Sequence, residues 1–267
     1  MIQRFTNPSH SATSDISELQ SDINVINDWF SNNHLTANAS KTKVMVISTK
    51  HNPFPDLNLT LNGVCIERVT SAKFLGIHLS SKLSWNAHVD AICKKARKMI
   101  GFIHRFFQSA PSNIRRTLYL ALVRPSLEYG SVTWHPLNTT LTKRLESTQR
   151  FAARVILHSW DLSHDDLLKE SKLPLLSKRR DVTSLCHMFK IISNLCSSPN
   201  TFLPHPKPGL RHLNSRAVSV PFHRLNLTQR SFYPYTSSIW NYLPEAIVKC
   251  STLQSFKSAI INHLLPL

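Results

Sequence analysis

Glycine is scarce here: five in 267 residues, where soluble proteins average about 7%. So few glycines leave few places for tight turns, which tilts the reading toward helix, and they cannot build a Gly-rich phosphate loop. Acids are scarce too, at fifteen against thirty-two lysines and arginines. Two-metal phosphoryl transfer needs clustered carboxylates to hold its ions, and the one adjacent pair is Asp165-Asp166. That pair follows Ser163-His164 and precedes Leu167-Leu168, a pattern that predicts a helix start: Ser163 as cap, acids in the first turn where the dipole favours them. A metal role is the alternative. No CxxC and no GxSxG occur, so neither a paired-cysteine site nor a nucleophile elbow is present. Cys186-His187 and Cys196 lack a fourth zinc ligand at usual spacing, and sit among Leu185, Met188 and Ile192, which predicts core packing. These absences lead to an expectation of no metal site and no cofactor in this chain. Five scattered cysteines fit a reducing compartment. Neither an opening apolar signal segment nor a membrane-length apolar run of about 18 residues is found. The expectation is an intracellular protein, nuclear or cytoplasmic, not secreted and not membrane-bound.

What is present is positive charge, unevenly placed. Residues 1–90 carry seven basic and seven acidic side chains; the rest carry twenty-five and eight, which is the whole of the chain's +17. Such asymmetry points to a polyanionic partner for the later part, nucleic acid above all. A merely soluble basic surface, or a membrane surface, is the bland alternative.

The hydrophobic period changes at about the same place. Residues 1–14 have none and read as a disordered start. Ile16, Leu19, Ile23, Ile26 and Phe30 recur at helical spacing. Lys43–Ile47 reads as a strand, Leu57, Leu59 and Leu61 alternate into an Asn62-Gly63 turn followed by Val64 and Ile66, and a further strand is expected through Phe74–Leu79. From residue 85 the pattern is helical. Val89, Ile92, Ala96, Met99, Ile103 and Phe106 form one stripe. A second helix starts at Ser112 and is broken or kinked at Pro125. A third spans about 139–158, with Leu141, Leu145, Thr148, Ala152 and Val155 as its apolar face. Helical spacing continues over 161–198, with Lys178-Arg179-Arg180 read as a basic triplet between helical segments. Residues 199–235 hold six prolines with many His and Arg and read as an irregular linker. A helical segment over 236–267 closes the chain. The predicted class is α+β: a small piece with a short antiparallel sheet, followed by a mainly α-helical region.

The cations are periodic as well. Lys94, Lys98 and Arg105 line one face of the first long helix, Arg115 and Arg116 open the next, and Lys143, Arg150 and Arg154 line the third. Side chains on one helix face share a line, so such stripes suit tracking phosphates. Solvated surface helices usually mix both signs, whereas residues 91–160 contain only Glu128 and Glu146 as acids.

Several segments together resemble the reverse transcriptases of non-LTR (LINE-type, jockey-like) retrotransposons. They are Asp22-Ile23-Asn24 with Trp29, the run from Asn38 to Met45, Phe74-Leu75-Gly76-Ile77 with Leu83-Ser84-Trp85 and His88, the run from Tyr119 to Gly130 with Trp134, the run from Leu145 to Arg154, Trp240-Asn241-Tyr242-Leu243-Pro244, and Phe256-Lys257. Their order and spacing are similar from about 15 to 260.

The resemblance implies a right-hand polymerase whose catalytic aspartates lie on a palm hairpin before the helix that opens near Asp15. It implies a partial palm over 15–84 and a thumb-like nucleic-acid-binding region over 85–198, with neither fingers nor metal site in the chain; magnesium is expected only for the intact parent enzyme. Lys41 falls where such polymerases have a lysine thought to protonate the leaving pyrophosphate. Phe74, Leu75 and Gly76 match the primer grip. The partner implied is an RNA–DNA hybrid or template–primer, together with the missing polymerase portion. Expected is a polymerase remnant inactive alone that retains sequence-independent nucleic-acid binding. A host-adopted binding module without enzymatic activity and a poorly folding pseudogene product are the alternatives.

Overall fold

The computed structural model describes residues 12–48, 57–196, 214–220 and 224–265. The chain divides into two compact units between His88 and Val89, and the architecture is α+β with a mainly helical later part.

In the first unit, α1 (Ala12–Asn32) begins inside the stretch expected to be disordered; residues 1–11 lie outside the described ones. Three two-stranded ladders follow. β1 (Lys43–Val44) pairs in parallel with β4 (Glu67–Arg68), where Lys43 and Glu67 form an ion pair. β2 (Thr60–Leu61) and β3 (Val64–Cys65) form the expected hairpin. Asn62 and Gly63 both take positive φ, 53° and 74°, as a type I′ turn demands. Its inward residues Leu59, Leu61 and Ile66 pack on Ile23 of α1. β5 (Ser71–Phe74) and β6 (Ile77–Ser80) form a second antiparallel hairpin. The expected single strand through Phe74–Leu79 is therefore corrected: Leu75 and Gly76 stand at φ 45° and 85° and reverse the chain between them. A leucine is an unusual choice there, since its Cβ disfavours positive φ.

The second unit is helical. Its first helix, α2 (Asn86–Phe106), buries Val89, Ala96, Ile100 and Ile103, with Phe106 at its end exposed. α3 (Ser112–Leu118) runs into a π-helical turn at Tyr119–Val123 and then α4 (Arg124–Glu128), which carries Pro125 in its first turn. The proline lacks an N–H and its ring would strike the carbonyl four residues back. The ladder widens just upstream, where the Arg124 N–H donates to the carbonyl of Tyr119. After α5 (Ser131–Trp134), α6 (Thr139–Leu157) starts on Asn138, whose side chain accepts from the Leu141 N–H at 2.9 Å, and buries Leu141, Leu145, Thr148, Ala152 and Val155 as the pattern predicts.

α7 (His164–Glu170) starts on Ser163, whose hydroxyl accepts from the Asp166 N–H. α8 (Leu176–Ile192) has no cap from its own chain segment. The buried Glu146 on α6 supplies one instead, accepting from the N–H groups of Leu176 at 3.3 Å and Ser177 at 2.9 Å.

The stretch read as a linker contains packed structure. Residues 199–213 and 221–223 lie outside the described residues, but Val218 exchanges two backbone hydrogen bonds with the Asn241 side chain, both at 2.8 Å. α9 (Asn226–Gln229) and α10 (Phe232–Asn241) follow, the latter starting before residue 236. α11 (Glu245–Val248) and α12 (Leu253–Leu264) complete the unit. Phe256 of α12 stacks on Phe189 of α8 at 4.6 Å and lies 5.6 Å from Trp240, at the centre of a core that includes Leu185, Met188 and Ile260. Among the described residues no helix is long and apolar enough to cross a membrane.

Candidate nucleic-acid interface

α2 and α6 lie side by side and parallel. Asp90 pairs with Arg144 near their starts, Cys93 meets Thr148 one turn on, and the rings of His104 and His158 stack 6.5 Å apart at their ends. The residue offset stays near 54 throughout. On α2 the buried face leaves Lys94, Lys95, Arg97, Lys98 and Arg105 exposed, and on α6 it leaves Lys143 exposed. None of these six is ion-paired among the described residues. Gly101 sits between Lys98 and Arg105, and a Cβ added there would meet nothing within 4 Å. A helix-interior glycine costs roughly 0.5–1 kcal/mol relative to alanine, and no neighbour in the structure requires it.

Four acids of this unit beyond Asp90 are engaged away from α2. Glu128 takes the Arg179 guanidinium through both oxygens and also lies 3.9 Å from Arg124. Glu146 caps α8. The buried Asp181 accepts from Tyr235 at 2.7 Å and pairs with His135 at 2.8 Å. Glu245 accepts from the Ser215 N–H and pairs with Lys249, both at 2.9 Å; hydrogen bonds from the Ser215 side chain, its N–H and Lys249 lower the carboxyl pKa to about 2. An acid used in this way does not neutralise an exposed cation on α2.

Not every expected cation is available. Arg115 is buried, and its guanidinium donates to the carbonyls of Ile156, Gln108 and Ala110 at 2.8–2.9 Å. Arg116 donates to Ser171 and Lys172 carbonyls at 3.1 and 3.3 Å. Both satisfy backbone acceptors left open where helices end, so their guanidinium groups are engaged in holding this unit together. Arg150 and Arg154 are half-buried, and the Nε of Arg154 is buried without a hydrogen-bond partner. The Lys178-Arg179-Arg180 triplet lies inside α8 rather than between helices. Arg179 serves Glu128, and Arg180 is fully buried over the Trp134 ring at 5.5 Å with its Nε toward His135 Nδ1. Burial pulls the His135 imidazole below its ordinary value, which keeps it neutral between Arg180 and Asp181.

In the first unit, Lys41 closes a 3₁₀ turn (Ala39–Lys41) with its side chain exposed. Asn38 builds that turn: its Oδ1 accepts from the Ser40 hydroxyl at 2.7 Å and the Lys41 N–H at 3.2 Å. Phe74, Leu75 and Gly76 form an exposed apolar hairpin tip, with Leu75 74% exposed. Among the described residues no group of three His, Cys, Asp or Glu side chains could hold a metal ion.

Comparison with known proteins gives one further finding. A probable RNA-directed DNA polymerase from transposon X-element of Drosophila melanogaster is 24% identical over 151 residues, covering 55% of this chain and 16% of that protein. The likeness supports a relationship to retrotransposon reverse transcriptases. The chain thus spans a small part of the relative's length. No family model and no solved structure matches.

Proposed function

We propose that this chain is the distal palm, thumb and C-terminal segment of a LINE-type retrotransposon reverse transcriptase, and that α2 and α6 hold the phosphates of a template–primer without reading its sequence. The observation that carries the reading is the exposed charge: cations along α2 with no ion pair among the described residues, in a unit where Asp90, Glu128, Glu146, Asp181 and Glu245 are engaged in caps or ion pairs. Phosphate contacts need free cations in a row, and Gly101 leaves room for a sugar–phosphate backbone to approach the helix. The likeness to the transposon polymerase supplies the context of RNA–DNA hybrid. Under this reading Phe74–Gly76 contact a primer end, and Lys41 is a proton donor only in an enzyme whose carboxylates hold magnesium. Among the described residues there is no carboxylate cluster for that purpose, so the expected behaviour is binding without primer extension.

The test is binding to an RNA–DNA hybrid across a salt series. With about six phosphates neutralised, log K falls against log salt with a slope near −5. Lys94→Gln with Lys98→Gln lowers affinity equally on unrelated sequences and flattens the slope by about two. A flat salt dependence in the parent protein, or primer extension by the purified chain with magnesium, sinks the reading.

A further inference from the structure

Where the parallel helices end, rings gather. Trp160, just beyond α6, stands 52% exposed. Its indole is held from two sides, by His104 edge-on at 6.2 Å and by Phe151 at 6.3 Å. His104 in turn stacks on His158, which takes a left-handed conformation to end α6. On α2, the exposed Phe102 and Phe106 pack 4.9 Å apart, one turn from each other. Cations are interleaved: Arg105 follows His104, and Arg150 and Arg154 stand on α6 either side of Phe151 in sequence, the second with a buried, unpartnered Nε. One acid, Asp161, adjoins the rings in sequence.

Large exposed rings in a folded unit call for an occupant, and the surrounding charge selects among occupants. Aromatic faces next to cations match single-stranded nucleic acid, where unpaired bases offer flat π-faces and each nucleotide carries a phosphate. A duplex hides its base faces inside its stack. The interaction works on any base, because every base has such a face.

We infer that Trp160, packed against His104 and Phe151, whose helices carry Arg105, Arg150 and Arg154 near those rings in sequence, is a stacking platform for unpaired bases of a single strand, RNA or DNA. The inference rests on the phosphate-binding reading of α2 and α6 and adds a second element to it: a place for the strand where it is not paired. Energy from phosphates is salt-dependent and shared by single strands and duplexes; energy from stacking is weakly salt-dependent and belongs to single strands.

The experiment compares oligothymidylate and oligouridylate of about 15 nucleotides with an RNA–DNA hybrid of the same length. Trp160→Ala is expected to lose about tenfold in affinity for the single strands, with the salt slope unchanged, and to stay within about twofold of the parent on the hybrid. Trp160→Phe keeps a ring and restores most of the lost affinity. An unchanged melting temperature excludes misfolding. Equal loss on single strand and hybrid, or no loss on either, overturns the platform while leaving the phosphate reading standing. Absent or salt-independent binding by the parent protein overturns both.

Discussion

The two units differ in charge and in depth of core, and both differences run the same way. Residues 1–88 set seven cations against six acids, and the described core beneath α1 is built on the buried Ile23, Leu59, Leu61 and Ile66. Val25, Trp29, Leu35, Leu75 and other large apolar side chains of this unit stay exposed. The helical unit carries nearly all the excess charge yet buries Phe189, Trp240, Phe256 and many others completely. A surface of like charges repels itself, and a deep core is what tolerates it. The first unit, with fewer buried groups, has less to lose and less to lose it from.

The largest effect should separate the two cores. Phe256→Ala removes a ring that stacks on Phe189 and faces Trp240, and is expected to cost about 3–5 kcal/mol. Hydrogen exchange should show protection lost across α8, α10 and α12. Leu59→Ala deletes one of the few fully buried side chains of the first unit, with an expected cost of about 2–5 kcal/mol. It should raise exchange only before residue 89. If either substitution accelerates exchange throughout the chain, the units fold as one body and the contrast drawn above is broken.

A middle-sized effect distinguishes the acids of the two regions. Glu146 is buried and accepts from two N–H groups that open α8. Glu146→Ala leaves both without an acceptor and is expected to cost about 1–3 kcal/mol in urea unfolding. Glu146→Gln keeps one oxygen acceptor and should recover about half of that. Asp28→Asn, on the exposed side of α1, should stay within about 0.5 kcal/mol of the parent. A cost at Asp28 equal to that at Glu146 would remove the argument that acids near the basic face are structural.

How much of this was legible in the sequence follows from how local each signal is. The helices α2 and α6 were readable because their apolar residues recur at the helical period, and Asn62-Gly63 marked its hairpin because that pair favours positive φ. Leu75-Gly76 makes the same reversal without a local mark, because leucine at the first position carries no turn signal. The exposed cations Lys94, Lys98, Arg105 and Lys143 could be placed from their own helix faces. Arg115 and Arg116 could not: what turns them inward is a set of open carbonyls up to 56 residues away, and no local pattern reports those. The packing of Val218 onto Asn241 was hidden for the same reason, behind prolines that read as a linker. Trp160 stood in the sequence without a partner; only the parallel pairing of α2 and α6 brings His104 to it.

The smallest effect is the most discriminating, because its sign differs between stability and binding. Gly101 lies in the interior of α2 between Lys98 and Arg105, with open space where a Cβ would stand. On stability alone Gly101→Ala should help, raising the unfolding free energy by about 0.5–1 kcal/mol. If the glycine is there so that a phosphate backbone can lie against the helix, the same methyl group stands in the way, and affinity for an RNA–DNA hybrid should fall although the helix is firmer. A folding argument by itself allows only the first change. An alanine variant that is more stable and binds as well as the parent would mean that the strand does not approach α2 at this point, and would confine the contacts to the ends of the long lysine and arginine side chains.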